Sequence, residues 1–241
     1  MEPEQTHAFC AFDTLFTRSV PYILENLFFS LDYKSFKTCM KVNKTWRELL
    51  STTSYQKRLE ELLIEKKINE KKLYDASREG NTAEVRELIN NHMVDVNFVG
   101  PWATPLYWAV LQGHIDTVKL LLDRGAEVDK ADNNGITPLH WAAKIGYKEM
   151  LQLLLNGGAR VDTADKQGST ALHRAASHFH IHIVKLLLDA GADVDKETKR
   201  YGKTTLNLAA NKDHKFKHYI IKRLMEGGAD PRRKRRKQVQ S

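Results

Sequence analysis

A short block of residues returns along this chain at a nearly fixed interval, and that period limits the fold more than any other feature. Thr104-Pro-Leu-Tyr-Trp-Ala, Thr137-Pro-Leu-His-Trp-Ala-Ala, Thr170-Ala-Leu-His-Arg-Ala-Ala and Thr204-Thr-Leu-Asn-Leu-Ala-Ala follow one another at spacings of 33, 33 and 34 residues. A second column keeps the same phase: Gly125-Ala-Glu-Val-Asp, Gly158-Ala-Arg-Val-Asp, Gly191-Ala-Asp-Val-Asp and Gly228-Ala-Asp-Pro, preceded by apolar clusters such as Leu120-Leu121-Leu122 and Leu186-Leu187-Leu188. A unit of this length cannot bury its own apolar face, so such units must stack on one another.

Each unit reads as a pair of helices. Thr137 N-caps the first, Pro138 suits a first helical position because its missing N–H would have no partner there, and Ala142 and Ala143 allow close packing. Gly146 stops that helix. The second carries Met150, Leu151, Leu154 and Leu155 at three-to-four spacing, with Gly157-Gly158 at its end. Asp132-Asn-Asn-Gly135 supplies turn residues for a short hairpin between units.

The T-P-L-H-x-A-A block at a 33-residue period resembles the ankyrin repeat. The resemblance implies a mainly all-α solenoid of helix pairs with short β-hairpin loops over residues 72–231. Its units are a degenerate 72–99, in which Gly80, Val85, Leu88 and Ile89 lie 33 residues before Gly113, Val118, Leu121 and Leu122, then 100–132, 133–165, 166–199 and 200–231. Trp102 replaces the turn glycine of the second unit and Phe179 the glycine ending helix one of the fourth. The last unit has Thr205, Asn207 and Asp213 at its Pro, His and Gly positions, consistent with a terminal cap.

Residues 14–50 follow a different pattern. Ile23, Leu24, Leu27, Phe28 and Leu31 form one apolar helix stripe begun by Pro21; Asp32 caps a second helix with Phe36, Cys39 and Met40; Val42 and Trp46 lie on a third. Three helices in so short a stretch bury little, so a partner surface is expected. Val20-Pro-Tyr-Ile-Leu-Glu-Asn-Leu-Phe-Phe-Ser-Leu-Asp-Tyr-Lys-Ser-Phe followed by Val42-x-x-x-Trp46 resembles an F-box, with Val20 where Leu is usual and a stripe one residue short. The resemblance implies docking to the Skp-type adaptor of a cullin ubiquitin ligase, through Pro21, Ile23, Leu24, Leu27, Phe28, Leu31, Phe36, Val42 and Trp46. An unrelated helical cap on the solenoid is the other reading. Residues 1–13 are a tail, and the charged stretch 51–71, with Leu59, Leu62, Leu63 and Ile64, reads as a connecting helix.

Composition narrows the function. Hydrophobic residues at 41% and charged residues at 28% suit a folded protein and exclude a disordered one. With only Cys10 and Cys39, neither a disulfide framework nor a cysteine zinc site is available. No apolar run reaches the length of a membrane span, and the acidic start is unlike a signal peptide, so an intracellular protein of cytoplasm or nucleus is expected. The net charge is +8, yet Arg232 to Lys237 are six consecutive cations, so most of it belongs to the tail 232–241. Lys234-Arg-Arg-Lys237 is either a segment read by an import receptor or a solvated tail.

Nothing in the sequence forms a catalytic set. Gly202-Lys203-Thr204 lacks the upstream glycine of a phosphate loop, since Glu197 stands there, and Asn43-Lys44-Thr45 is a chance glycosylation match. His178 and His182 are four apart, but the repeat phase puts them across a turn, and no third ligand joins them. His140 and His173 are repeat-position residues that hydrogen-bond locally. No metal or cofactor is implied and the chain is expected not to catalyse a reaction.

The expected function is recruitment of a target protein to a Skp/cullin/F-box ligase, with a non-ligase scaffold or transcriptional cofactor as the alternative. Ankyrin arrays generally bind through hairpin tips and the exposed end of helix one. Those positions hold Pro101, Ala103, Leu111, Gln112, Asn133, Asn134, Ile136, Lys144, Ile145, Lys166, Gln167, Ser169, Ser177, His178, Arg200, Tyr201 and Lys203. Their cations, with no Asp or Glu among them, point to an acidic or phosphorylated target.

Overall fold

A computed structural model describes residues 53–90, 94–199, 202–211 and 214–229. The F-box-like stretch with its adaptor candidates Pro21 to Trp46, the residues Arg200 and Tyr201, and the basic tail lie outside them. The chain divides into two compact units, Met1–Lys67 and Ile68–Ser241. In the first, the described residues belong to helix α1 (Thr53–Glu79), with Leu62 buried. This helix continues through residue 72, where the sequence pattern starts the repeats.

The second unit is built from helix pairs. The end of α1 is followed by α2 (Thr82–Asn90), then come α3 (Pro105–Gln112) and α4 (Ile115–Asp123), α5 (Pro138–Ile145) and α6 (Lys148–Asn156), α7 (Ala171–Ser177) and α8 (Ile181–Asp189), and α9 (Thr205–Ala210) and α10 (Lys217–Glu226). Local chemistry sets each boundary. Thr104, Thr137, Thr170 and Thr204 are all extended N-caps, with Pro105 and Pro138 as first helical residues. Gly113 and Gly146 end α3 and α5 in the left-handed region, at φ of 82° and 86°.

Stacking makes the core. The first helices of successive pairs, α3, α5, α7 and α9, pack side by side, and the second helices α2, α4, α6, α8 and α10 form a parallel row. Ala109, Ala142, Ala143, Ala175, Ala176 and Ala209 are fully buried along the first row, where small side chains let the helices approach closely. Leu121, Leu151, Leu154, Leu187 and Leu224 fill the space between the rows, giving one continuous apolar cluster. The apolar periodicity of the sequence is therefore the face that neighbouring units bury, as expected for a mainly α solenoid.

Two local features differ from the repeat pattern. The hairpin loops are tight turns, and among the described residues only Glu197 and Thr204 form a β-bridge. The reason is the turn aspartate: Asp132 Oδ1 accepts the N–H groups of Asn134 and Ile136 at 2.8 and 2.9 Å, and Asp165 Oδ1 those of Gln167 and Ser169 at 2.8 Å, so side chains take donors that a ladder would use. The second is Phe179, which keeps the left-handed backbone of the glycines it replaces, at φ 59°. A Cβ on Gly146 would lie 2.7 Å from the His180 ring of the next unit, whereas the Phe179 side chain is accommodated by stacking on His214, with ring centroids 4.0 Å apart. Left-handed backbone at such a residue costs on the order of 1–2 kcal/mol, which that ring stack offsets in part.

Candidate target-binding face

The turn tips and the ends of the first helices form a row of side chains that the stacked core holds in register. The tips of the third, fourth and fifth units are tied to each other by main-chain bonds, Lys166 N–H to Asn134 O at 3.0 Å and Lys199 N–H to Gln167 O at 2.8 Å. The tips of the fourth and fifth units are also anchored from below. His140 accepts the Thr137 N–H on Nδ1 at 3.1 Å, which leaves Nε2–H to donate to the Ser169 carbonyl of the next tip at 2.9 Å. His173 repeats the arrangement, accepting from Thr170 N–H and reaching the Lys203 carbonyl at 3.3 Å. Burial pushes both imidazoles below their ordinary value, against the pull of the carbonyls they bond and of the Asp165 carboxylate. Neutral rings are what this geometry needs, since a protonated Nδ1 could not accept.

A column beside the tips changes character from one end to the other. Its positions, one unit apart, are Trp108, Trp141 and Arg174. Trp108 meets Tyr74 and Tyr107 edge-on, with centroids 6.0 and 6.5 Å away. The Trp141 indole N–H donates to the Tyr107 hydroxyl, which donates to Asp132 Oδ2 at 2.9 Å. Burial raises the Tyr107 hydroxyl far above the usual tyrosine value; the Trp141 N–H opposes this and the Asp132 carboxylate adds to it, so Tyr107 stays a donor. Lys144 Nζ lies 4.3 Å from the centre of the Trp141 ring, a cation–π contact. Arg174 pairs with the buried Asp165 at 2.6 Å.

Such a face, carried on stacked helix pairs, presents a fixed array of side chains to another molecule. Models of the family described as ankyrin repeats (three copies) match residues 51–132, 72–165, 126–198 and 161–235, together well over half of the sequence. The chain belongs to the ankyrin-repeat family. A comparison with curated proteins found no match. Ankyrin repeats are protein–protein interaction modules, and this array binds a partner protein.

Among the residues expected to contact that partner, Pro101, Gln112, Asn133, Asn134, Lys166, Gln167 and His178 are exposed on the ankyrin tips and helix ends, while Leu111, Ile136, Lys144, Ile145, Ser177 and Lys203 are half-buried there. Ala103 and Ser169 are buried and leave the face. Gly100 N–H bonds the Ala103 carbonyl, and Ser169 is held by Asp165 on its N–H and by His140 on its carbonyl, so both serve as the inner arms of their turns. Arg174 is also neutralised in place by Asp165. The side chains missed by sequence reasoning are Trp102, Val99 and Lys199, all exposed on the tips. Their signal was visible in the alignment of the units: Val99 and Trp102 stand where later tips carry Asp132 and Gly135.

No group of three or more His, Cys, Asp or Glu among the described residues is placed to hold a metal ion. His178 ends α7 and His182 lies on α8, across the turn between them. No described helix is long and apolar enough to cross a membrane.

Proposed function

We propose that this protein recruits a target, held on its ankyrin face, to a cullin-based ubiquitin ligase by docking residues 14–50 on a Skp-type adaptor. The observation that carries the reading is the run from Val20-Pro21 through Leu31-Asp32 to Val42-x-x-x-Trp46, placed ahead of an interaction array. In this reading the chain itself need not catalyse. Holding a target beside the ligase raises its effective concentration near the transferred ubiquitin, and that suffices. The exposed cations Lys166 and Lys199, with Lys144 over Trp141, support an acidic or phosphorylated target.

The test is titration of the full chain with a purified Skp-type adaptor. Wild-type protein is expected to bind, and Leu27→Ala or Leu31→Ala to weaken the complex by about 30-fold or more, the effect of losing an apolar anchor. Absence of any adaptor affinity in folded wild-type protein overturns the ligase reading and leaves an ankyrin scaffold or transcriptional cofactor.

A further inference from the structure

The tip of the second unit is unlike the others. Asp132 and Asp165 organise the tips of the third and fourth units, but Val99 occupies that position here, and Trp102 replaces the glycines that adopt φ of 77° and 79° at 135 and 168. Trp102 does not take that left-handed conformation. The turn closes instead through Gly100 N–H to Ala103 O at 3.0 Å, and Gly100 sits against the Tyr74 ring so closely that a Cβ would fall 2.5 Å from it. With Ala103 buried on the other side, the backbone of Trp102 is held in its turn while the residue is 67% exposed, beside Val99 at 54%. A rigidly mounted, solvent-facing indole is costly in water and well suited to anchor a partner, because few torsions are lost when it is covered.

The rest of the same face has the opposite chemistry. Lys166 and Lys199 are exposed on the later tips. Of the carboxylates on these turns, Asp132 is occupied by Tyr107 and turn N–H groups, Asp165 is buried against Arg174, and Glu197 is exposed at the base of the Lys199 tip. We infer that the face reads a bipartite target segment, in which an aromatic or large aliphatic residue seats against Trp102 and Val99 and a run of carboxylates lies along the Lys166 and Lys199 tips. Charge complementarity selects the acidic part and the apolar tip fixes its register. This rests on the proposal that the ankyrin face holds the target, and it is independent of adaptor docking.

The experiment is fluorescence anisotropy of the full chain with three labelled synthetic peptides: a Glu-rich peptide ending in Phe, the same without Phe, and the Phe peptide with Gln for Glu. Only the first is expected to bind tightly. Trp102→Ala should weaken it about 30-fold while leaving the weaker binding of the Phe-free peptide unchanged. The double variant Lys166→Glu, Lys199→Glu should weaken both Glu-rich peptides. Trp102 is exposed, so Trp102→Ala should leave the melting temperature close to that of wild type, separating lost contact from lost fold. Equal affinity for the peptides with and without Phe, no effect of Trp102→Ala, or no binding of any peptide overturns the inference. Adaptor titration of the same variants reports separately on the ligase reading.

Discussion

Removing the Asp165 carboxylate should be among the most damaging single changes to the binding face. Its side chain is 2% exposed, and it accepts three hydrogen bonds, from Gln167 N–H and Ser169 N–H at 2.8 Å and from the Arg174 guanidinium at 2.6 Å. In Asp165→Ala the Ser169 N–H loses its acceptor within a buried tip and Arg174 keeps its charge without a partner. Bonds to an ionised acceptor contribute roughly 1.5–3 kcal/mol each, and breaking a buried ion pair from one side costs roughly 3–5 kcal/mol. Gln167 is exposed and its N–H recovers water, so the expected loss is about 3–5 kcal/mol rather than the sum of these figures. Asp165→Asn keeps an acceptor at Oδ1 for the two turn N–H groups but places an NH2 group where Oδ2 accepts from Arg174, so that bond and the charge are lost, for an expected loss of about 1.5–3 kcal/mol. Urea unfolding followed by far-ultraviolet circular dichroism at neutral pH reads both. An Asp165→Ala protein within about 1 kcal/mol of wild type would refute the view that this carboxylate organises the tip.

Leu154 is fully buried between the helix rows, and Leu154→Ala should cost roughly 2–5 kcal/mol in the same unfolding assay, while the half-buried Leu155 should cost less. Because burial holds the His140 and His173 pKa values below their unfolded value, the unfolded chain binds more protons as pH falls below about 6.5; stability should be full above that pH and decline toward acid. Melting temperatures across that range check the slope, and it should flatten in a His140→Gln, His173→Gln protein. Lys144→Gln removes the cation over Trp141 at a half-buried surface position and should change stability by less than about 1 kcal/mol, read by thermal melting.

Much of this fold is legible because the repeat reports the same decision several times. Thr137-Pro138 marks a cap, Gly146 a left-handed stop, and the spacing of Met150, Leu151 and Leu154 a buried face, and each signal acts within a few residues of chain. The face is less legible because its chemistry is set by contacts between units. Arg174 reads as one more cation until Asp165 is found beneath it, and Ala103 and Ser169 read as tip residues until the turns fold their inner arms under. Trp102 marks a broken turn in the sequence, but whether the replacing side chain turns inward or outward depends on how Gly100 settles on Tyr74, a residue of α1. Phe179 shows the converse, since packing against His214 retains a backbone conformation that the residue type disfavours.

The proposed coupling of an ankyrin-bound target to a ligase adaptor is tested most directly by the lifetime of captured proteins. Partners that co-purify with the full chain, and that are lost on Trp102→Ala or on Lys166→Glu with Lys199→Glu, should be followed by pulse-chase in cells expressing wild-type or Leu27→Ala, Leu31→Ala protein. Coupling predicts that both proteins capture the same partners but only the wild type shortens their half-life, in a manner reversed by proteasome inhibition. Equal half-lives with wild-type and doubly substituted protein would contradict it.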